Sequence, residues 1–175
     1  GRLIEEFVDA HLSNWYVRLS RRRFWRSEMN KDKQSAYETL FECLMVTSQL
    51  MSPVAPFFSD WLYRNLTDCV RNTSPSLYQL KSIHLTLLTP ANASCLDSAL
   101  EERMDFAQRI SSMVLALRKK VNIRVRQHLQ KILIPVDSPQ QQKVIEQMEK
   151  LILSEVNVKE MEFVTDASGL LVKKI

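Results

Sequence analysis

Glycine is nearly absent from this chain. The 175 residues contain only Gly1 and Gly169, so neither a Walker-type loop nor a G-x-G-x-x-G turn can form. Nucleotide binding through such phosphate-cradling loops is therefore excluded. Gly1, followed at once by a helical pattern, is also typical of a piece cut from a longer protein.

Cysteines and histidines are few and scattered. The three cysteines, Cys43, Cys69 and Cys95, are odd in number and widely spaced, which predicts reduced thiols. Neither these cysteines nor the three histidines show the paired spacing that a zinc site requires. We therefore expect no metal site.

Long apolar runs are missing as well. Every purely apolar stretch is a few residues long, against the ~20 residues needed to cross a bilayer, and no charged-then-apolar leader opens the sequence. Hydrophobic residues still make up 45% of the chain, which is enough for one core and a small satellite domain. We expect a soluble, cytoplasmic protein with no membrane partner.

Positive charge is concentrated in two blocks of the sequence. Residues 14–27 contain five arginines, residues 118–131 contain six basic residues, and neither block contains an acid. The two blocks hold eleven of the 24 basic residues, so the remainder of the chain is acidic. This distribution is typical of a phosphate-binding surface. Each block alone could instead be a solvated helix face or a helix end that favours cations.

Hydrophobic periodicity predicts a mainly α fold. Apolar residues recur at helical spacing over four segments, approximately residues 2–27, 33–51, 56–66 and 98–121. Ser98 with Glu101 matches a capping box at the start of the last helix. An antiparallel helix bundle is the economical way to bury these faces. The segment 82–89, before that last helix, is predicted to be extended.

The pattern changes after residue 121. The sequence there predicts a strand, a helix and a second strand over residues 129–134, 138–153 and 156–164, and residues 170–175 could form a third strand. This succession is typical of a small α/β subdomain, which the end of the chain could truncate. We therefore predict two domains, residues 1–121 and 122–175.

Arginines alternate with tryptophans on the opening helix. On an α-helical wheel one arc holds seven residues, namely Asn14, Trp15, Arg18, Arg21, Arg22, Trp25 and Arg26. Guanidinium forks match phosphate oxygens, and flat rings can stack on bases or sugars. For the arginine stripe we favour RNA contact over pairing with acids of neighbouring helices. For each tryptophan, packing in the core is at least as good an interpretation.

The run from Asn14 to Trp25 resembles a helix of the isoleucyl-tRNA synthetases. In their archaeal and eukaryote-like branch, the anticodon-binding domain contains N-W-Y-x-R followed by R-R-R-F-W. Four later segments also resemble that family: P-V-A-P-F at 53–57, S-I-H-L at 82–85, R-x-x-x-x-I-x-x-R-Q-x-L within 118–133, and E-V-N-V-K at 155–159. His128 departs from the family, which usually has proline there.

The resemblance implies a tRNA-binding piece of an enzyme that joins isoleucine to its tRNA with ATP. The H-x-G-H and Lys-Met-Ser-Lys-Ser motifs of class I synthetases are absent, so we assign no catalytic residue and expect the piece to be inactive alone. No cofactor is expected here, since ATP belongs to the parent's catalytic domain. The expected partners are the anticodon arm of the isoleucine tRNA and the remaining domains of the parent synthetase.

The candidate tRNA-binding residues fall in the two basic blocks. In the first block we assign phosphate contacts to Arg18, Arg22 and Arg26, with Asn14, Trp15 and Arg21 as secondary candidates. In the second block Lys119, Lys120, Arg124 and Arg126 are expected to meet the anticodon stem or the junction to the α/β subdomain.

Other interpretations of the sequence stay open. The chain could be the equivalent domain of a valyl, leucyl or methionyl enzyme, or a structural helical module whose basic stripe meets an acidic protein. A hydrolase or transferase using Cys43 or Ser112 is disfavoured, because neither side chain has a recognisable activating context.

Overall fold

Two compact units, residues 1–91 and 92–175, divide the chain. The computed structural model describes residues 1–25, 28–73, 79–88 and 90–164, without the side chains of residues 69 and 73. The division at residue 91 differs from the predicted boundary at residue 121, because the helix that begins at Ser98 packs within the second unit. A boundary between functional domains at residue 121 stays a prediction.

The first unit opens with three short helical segments. These are helix α1 (Arg2–Glu6), a π-helical segment (Phe7–Val17) and helix α2 (Arg21–Trp25). The helix predicted over residues 2–27 is found in the described residues, but it is interrupted at Ser20 and has π-helical geometry over Phe7–Val17. In a π-helix the hydrogen bonds join residues five apart, so each residue turns through a smaller angle than in an α-helix. Side chains before Val17 consequently point elsewhere than an α-helical wheel predicts.

Two longer helices follow, α3 (Lys31–Met51) and α4 (Pro56–Thr73). Asn30 caps α3, since its side-chain oxygen accepts a hydrogen bond from the Lys33 N–H at 2.8 Å. Helix α4 runs beyond the predicted end at residue 66, because the following residues include no glycine or proline. The Thr67 hydroxyl also has its hydrogen-bond partner within the helix, since it donates to the Tyr63 carbonyl at 2.8 Å.

The core of the first unit contains side chains from the π-helical segment, from α3 and α4, and from a short turn. These buried residues are Leu12, Trp15, Ala36, Tyr63 and Ile83. Ile83 belongs to a 3₁₀ turn, Ile83–Leu85, so the prediction of an extended segment over 82–89 is wrong there. The turn forms because the Ser82 hydroxyl oxygen accepts the N–H of His84. Residue 89 lies outside the described residues.

Asp60 attaches this turn to helix α4 through hydrogen bonds. Its carboxylate accepts hydrogen bonds from the Ser82 hydroxyl at 2.6 Å and the Ile83 N–H at 3.0 Å, and it pairs with Arg64 at 2.7 Å. The Ser82 hydrogen bond, followed by the Ile83 hydrogen bond and the Arg64 charge, lowers the pKa of Asp60 below its ordinary value.

We predict that Asp60 makes the stability of the first unit depend on pH. A carboxylate whose pKa is lowered by folding stabilises the protein above its unfolded pKa of about 4, and this stabilisation is lost as the pH falls through the folded pKa. Asp60→Asn should remove this dependence. The measurement is urea unfolding followed by tryptophan fluorescence between about pH 6 and pH 2. Parallel pH curves for the two proteins would contradict the prediction.

The second unit begins with the long helix α5 (Ser98–Lys120). The predicted capping box of Ser98 and Glu101 is wrong, since the N-cap is Asp97, whose carboxylate accepts the Leu100 N–H at 3.0 Å. The remaining elements are β1 (Leu129–Pro135), α6 (Pro139–Glu146), α7 (Glu149–Val156) and β2 (Val158–Val164).

Strands β1 and β2 pair in parallel, with Leu129 opposite Val158 and Pro135 opposite Val164. Both strands were predicted within two residues of their ends. The helix predicted over 138–153 is instead two helices, because the chain leaves helical geometry near Met148. The third strand predicted at 170–175 lies outside the described residues. The described chain is therefore mainly helical, with one small parallel sheet.

The core of the second unit lies between α5, the two shorter helices and the sheet. Its buried members are Ala107, Ile110, Ile134, Val136, Ile145 and Ile152. Ile152 is fully enclosed, so truncating it leaves a cavity as well as losing burial.

Among the described residues, no helix combines the length and the apolar character that crossing a membrane would require.

We predict that Ile152→Ala lowers the free energy of unfolding by about 2–5 kcal/mol. The matched control is Leu133→Ala on β1, whose side chain is 42% exposed and whose truncation should cost less than about 1 kcal/mol. Urea denaturation followed by circular dichroism measures both values. Equal losses for the two variants would show that the assigned core is wrong.

Candidate nucleic-acid interface

Three arginines of the first basic block are exposed on the first unit. Arg18 follows the π-helical segment, while Arg21 and Arg22 lie on α2. Within the described part of the chain, Arg21 and Arg22 form no ion pair. Arg26, the last predicted phosphate contact of this block, lies outside the described residues.

Arg23 has a different environment. Its guanidinium donates to both carboxylate oxygens of Asp32, at 2.9 and 2.8 Å, and to the Asp32 backbone carbonyl at 3.0 Å. The hydrogen bond that Arg23 donates to the Asp32 carboxylate is the main reason that the pKa of Arg23 is raised. Asp32 lies in the first turn of α3, so this pair ties α2 to α3. The donors of Arg23 are therefore used within the chain, whereas Arg21 and Arg22 form no ion pair among the described residues.

Aromatic contacts reinforce the attachment of α2 to α3. The Phe24 ring lies 5.0 Å from the Tyr37 ring and 6.5 Å from the Tyr16 ring, centroid to centroid. The Tyr16 hydroxyl donates to the Ala36 carbonyl at 2.9 Å. Because Arg23 and Phe24 face α3, the other residues of this five-residue helix are directed toward solvent.

The two tryptophans of the predicted arc do not share one side. Trp25 is 81% exposed, whereas Trp15 is only 9% exposed and belongs to the core. The placement of Trp15 on the arginine arc is therefore wrong. The smaller angular step of the π-helical segment turns Trp15 away from Arg18, and its ring is buried, as is Leu12. Asn14 stays exposed, and its side-chain amide donates to Asp9 at 3.1 Å.

We predict that Trp25 and Trp15 differ sharply in their access to a soluble quencher. Trp25→Phe should remove a component of the fluorescence that acrylamide quenches readily, because that indole lies in water. Trp15→Phe should remove a component that acrylamide reaches poorly. Stern–Volmer plots of both variants against the unmodified chain provide the measurement. The assignment fails when the two substitutions change the quenching in the same way.

The second basic block lies on the second unit. Lys119 and Lys120 end α5, and Arg124 and Arg126 lie in the loop that follows; all four side chains are exposed. Cations in the last turn also offset the partial negative charge of the helix end, so part of their role is local. Arg118, from the same block, is instead buried and contacts only carbonyl groups among the described residues.

The environment of Cys43 does not favour a nucleophile. The Cys43 thiol is half-buried, and burial followed by the charge of Glu42 raises its pKa. This shift favours the protonated thiol, whereas a nucleophile needs the thiolate. Within the described residues, no group of three or more histidine, cysteine or acidic side chains is placed to hold a metal ion. The exposed guanidiniums are suited instead to holding phosphate oxygens.

Comparison with known proteins gives the family. Residues 1–133 match the anticodon-binding domain of tRNA ligases, and the chain belongs to this family. It is 51% identical over all 175 residues to isoleucine–tRNA ligase of Porphyromonas gingivalis and 50% identical to that of Bacteroides thetaiotaomicron. It is 40% identical over 159 residues, 91% of the chain, to the Dehalococcoides mccartyi enzyme. The chain spans 14–15% of the length of these relatives.

Proposed function

We propose that this chain is the anticodon-binding region of an isoleucine–tRNA ligase and that it binds the anticodon arm of the isoleucine tRNA. The family match and the identity along the whole chain support the proposal. The observation that carries the site assignment is the exposure of Arg21 and Arg22, without a carboxylate partner in the described residues, beside the exposed ring of Trp25.

Phosphate binding is the chemistry that these side chains perform best. A guanidinium keeps its charge at every physiological pH and can donate two parallel hydrogen bonds to one phosphate group. An exposed indole beside it can stack on a base or a sugar. We assign Arg18, Arg21, Arg22 and Arg26 to phosphates and Trp25 to stacking. Trp15 has no direct role, since its ring packs in the core.

The proposed contribution to the reaction is positioning. The parent enzyme would activate isoleucine with ATP in another domain, so this region needs no cofactor. Binding energy gained at the anticodon arm would orient the acceptor end of the tRNA in the distant active site. The finer architecture, an antiparallel packing of the helices together with a small α/β subdomain, belongs to the same proposal.

We predict that Arg21→Glu with Arg22→Glu weakens binding of the isoleucine tRNA by roughly tenfold or more. Both substitutions replace a phosphate donor with a repelling charge. The salt dependence should also flatten, by about one in the log–log slope for each lost contact. A gel-shift titration at several salt concentrations measures both effects.

The matched control is Lys143→Glu with Lys150→Glu, which changes the net charge equally at exposed positions outside both basic blocks. Binding of this control should differ little from that of the unmodified chain. Equal losses for the two pairs would mean that overall charge, not the α2 surface, governs affinity. Tighter binding of valine or methionine tRNA than of isoleucine tRNA would reject the assignment to isoleucine. Binding to no tRNA would reject the proposal itself.

A further inference from the structure

Arg118 is a buried cation near the surface of the second unit. Its side chain is on the last turn of α5 and is only 2% exposed. One terminal nitrogen donates to the carbonyls of Arg124 and Gln127, at 3.1 and 3.0 Å, and the other donates to the carbonyl of Asn157 at 3.0 Å. One guanidinium therefore joins a loop to the end of a helix more than thirty residues later in the sequence.

The loop between α5 and β1, residues 121–128, is fixed at its start as well. We call it the anchored loop. Asn122 adopts a left-handed conformation with φ 57°, the Ile123 N–H donates to the Arg118 carbonyl at 2.9 Å, and the Asn122 N–H donates to the Lys119 carbonyl at 3.2 Å. These two bonds form a Schellman motif, which sets the direction in which the loop leaves α5.

Asn157 holds the anchored loop from the other side. It ends α7 in a left-handed conformation with φ 54°, and its side-chain amide donates to the Val125 carbonyl at 2.8 Å. Its own carbonyl accepts both from Arg118 and from the Leu129 N–H. The carbonyls of Arg124, Val125 and Gln127 are thus all held by side chains from outside the loop.

The charge of this arrangement is unbalanced. Within the described residues no carboxylate pairs with Arg118, and its Nε atom has no hydrogen-bond partner. Burying a lone charge is costly, and an apolar side chain commonly gives a more stable core. Four exposed cations lie within eight residues of Arg118 in the sequence, namely Lys119, Lys120, Arg124 and Arg126. A surface with so much positive charge and so little freedom is suited to a polyanion.

We infer that Arg118 and Asn157 are positioning residues that pre-order the anchored loop, so that Arg124 and Arg126 meet the phosphates of RNA. This inference rests on the proposed function, because it assumes that the chain binds tRNA. Ordering the loop in advance avoids an entropic cost on binding. Arg118 itself does not touch the RNA in this scheme, because its donors are directed at backbone carbonyls.

The test is a double-mutant cycle in the 175-residue chain, with the isoleucine tRNA as the probe. Arg118→Lys keeps the positive charge but removes the planar guanidinium whose two terminal nitrogens bind the carbonyls. This substitution should weaken tRNA binding roughly fivefold to tenfold. In a chain that already has Arg124→Gln and Arg126→Gln, the same substitution should weaken binding by no more than about twofold. An equal loss in both backgrounds would indicate a merely structural role and would overturn the inference.

A second variant keeps the inference testable should Arg118→Lys fail to fold. Asn157→Gly retains the left-handed backbone, which glycine adopts freely, but removes the tether to Val125. It should weaken tRNA binding and speed trypsin cleavage after Arg124 and Arg126. Asn122→Gly is the matched control, because Asn122 has the same backbone conformation and its side chain makes no hydrogen bond among the described residues.

The possible results separate the two claims. Should the unmodified chain bind no tRNA, the proposed function and this inference both fall. Should it bind tRNA while Arg118→Lys and Asn157→Gly bind equally well, only the inference falls. Weaker binding and faster cleavage for Asn157→Gly, with Asn122→Gly unchanged, would support the inference.

Discussion

The ion pair between Arg23 and Asp32 determines which arginines of the first block are available. A guanidinium that has a carboxylate within its own chain has little to gain from an outside phosphate, whereas an exposed one still has its donors in water. By binding Asp32, Arg23 attaches α2 to α3, while Arg21 and Arg22 stay exposed. Exposed ion pairs contribute little stability alone, so the aromatic contacts of Phe24 are part of the same attachment.

The two basic blocks use arginine in contrasting ways. In the first block the anchoring arginine is paired with an acid, and the charge of the pair is cancelled. In the second block the anchoring arginine, Arg118, donates only to carbonyls among the described residues. No carboxylate among them cancels its charge. Both anchors hold the backbone that carries neighbouring cations. Rigid donors lose less entropy on binding than flexible ones, which favours a defined contact over loose attraction.

Local patterns predicted much of the fold. Helix α3 and strands β1 and β2 lie within two residues of their predicted ends, because periodicity and flanking prolines are properties of neighbouring residues. Trp15 was placed wrongly because the wheel assumed α-helical geometry through a π-helical segment. Such a change of hydrogen-bond register has no clear sequence signal.

The anchoring roles could not be predicted in the same way. Arg23 and Arg118 look like other members of basic runs, and their partners lie nine and up to 39 residues away. The asparagine in Glu155-Val156-Asn157-Val158-Lys159 was visible as part of a motif. Asparagine often ends a helix in the left-handed conformation, so the sequence alone could have predicted that Asn157 ends a helix. The sequence could not predict the hydrogen bond to Val125, because that contact depends on the tertiary fold.

We propose that the exposed side of α2 meets tRNA. The most direct measurement is a titration of isotopically labelled chain with isoleucine tRNA, following the indole N–H signals of the tryptophans by NMR, with Trp25 assigned through Trp25→Phe. The Trp25 signal should shift or broaden early in the titration, while the buried Trp15 signal changes little at that stage. A Trp25 signal that is unchanged when the tRNA is fully bound would show that the exposed side of α2 does not meet tRNA.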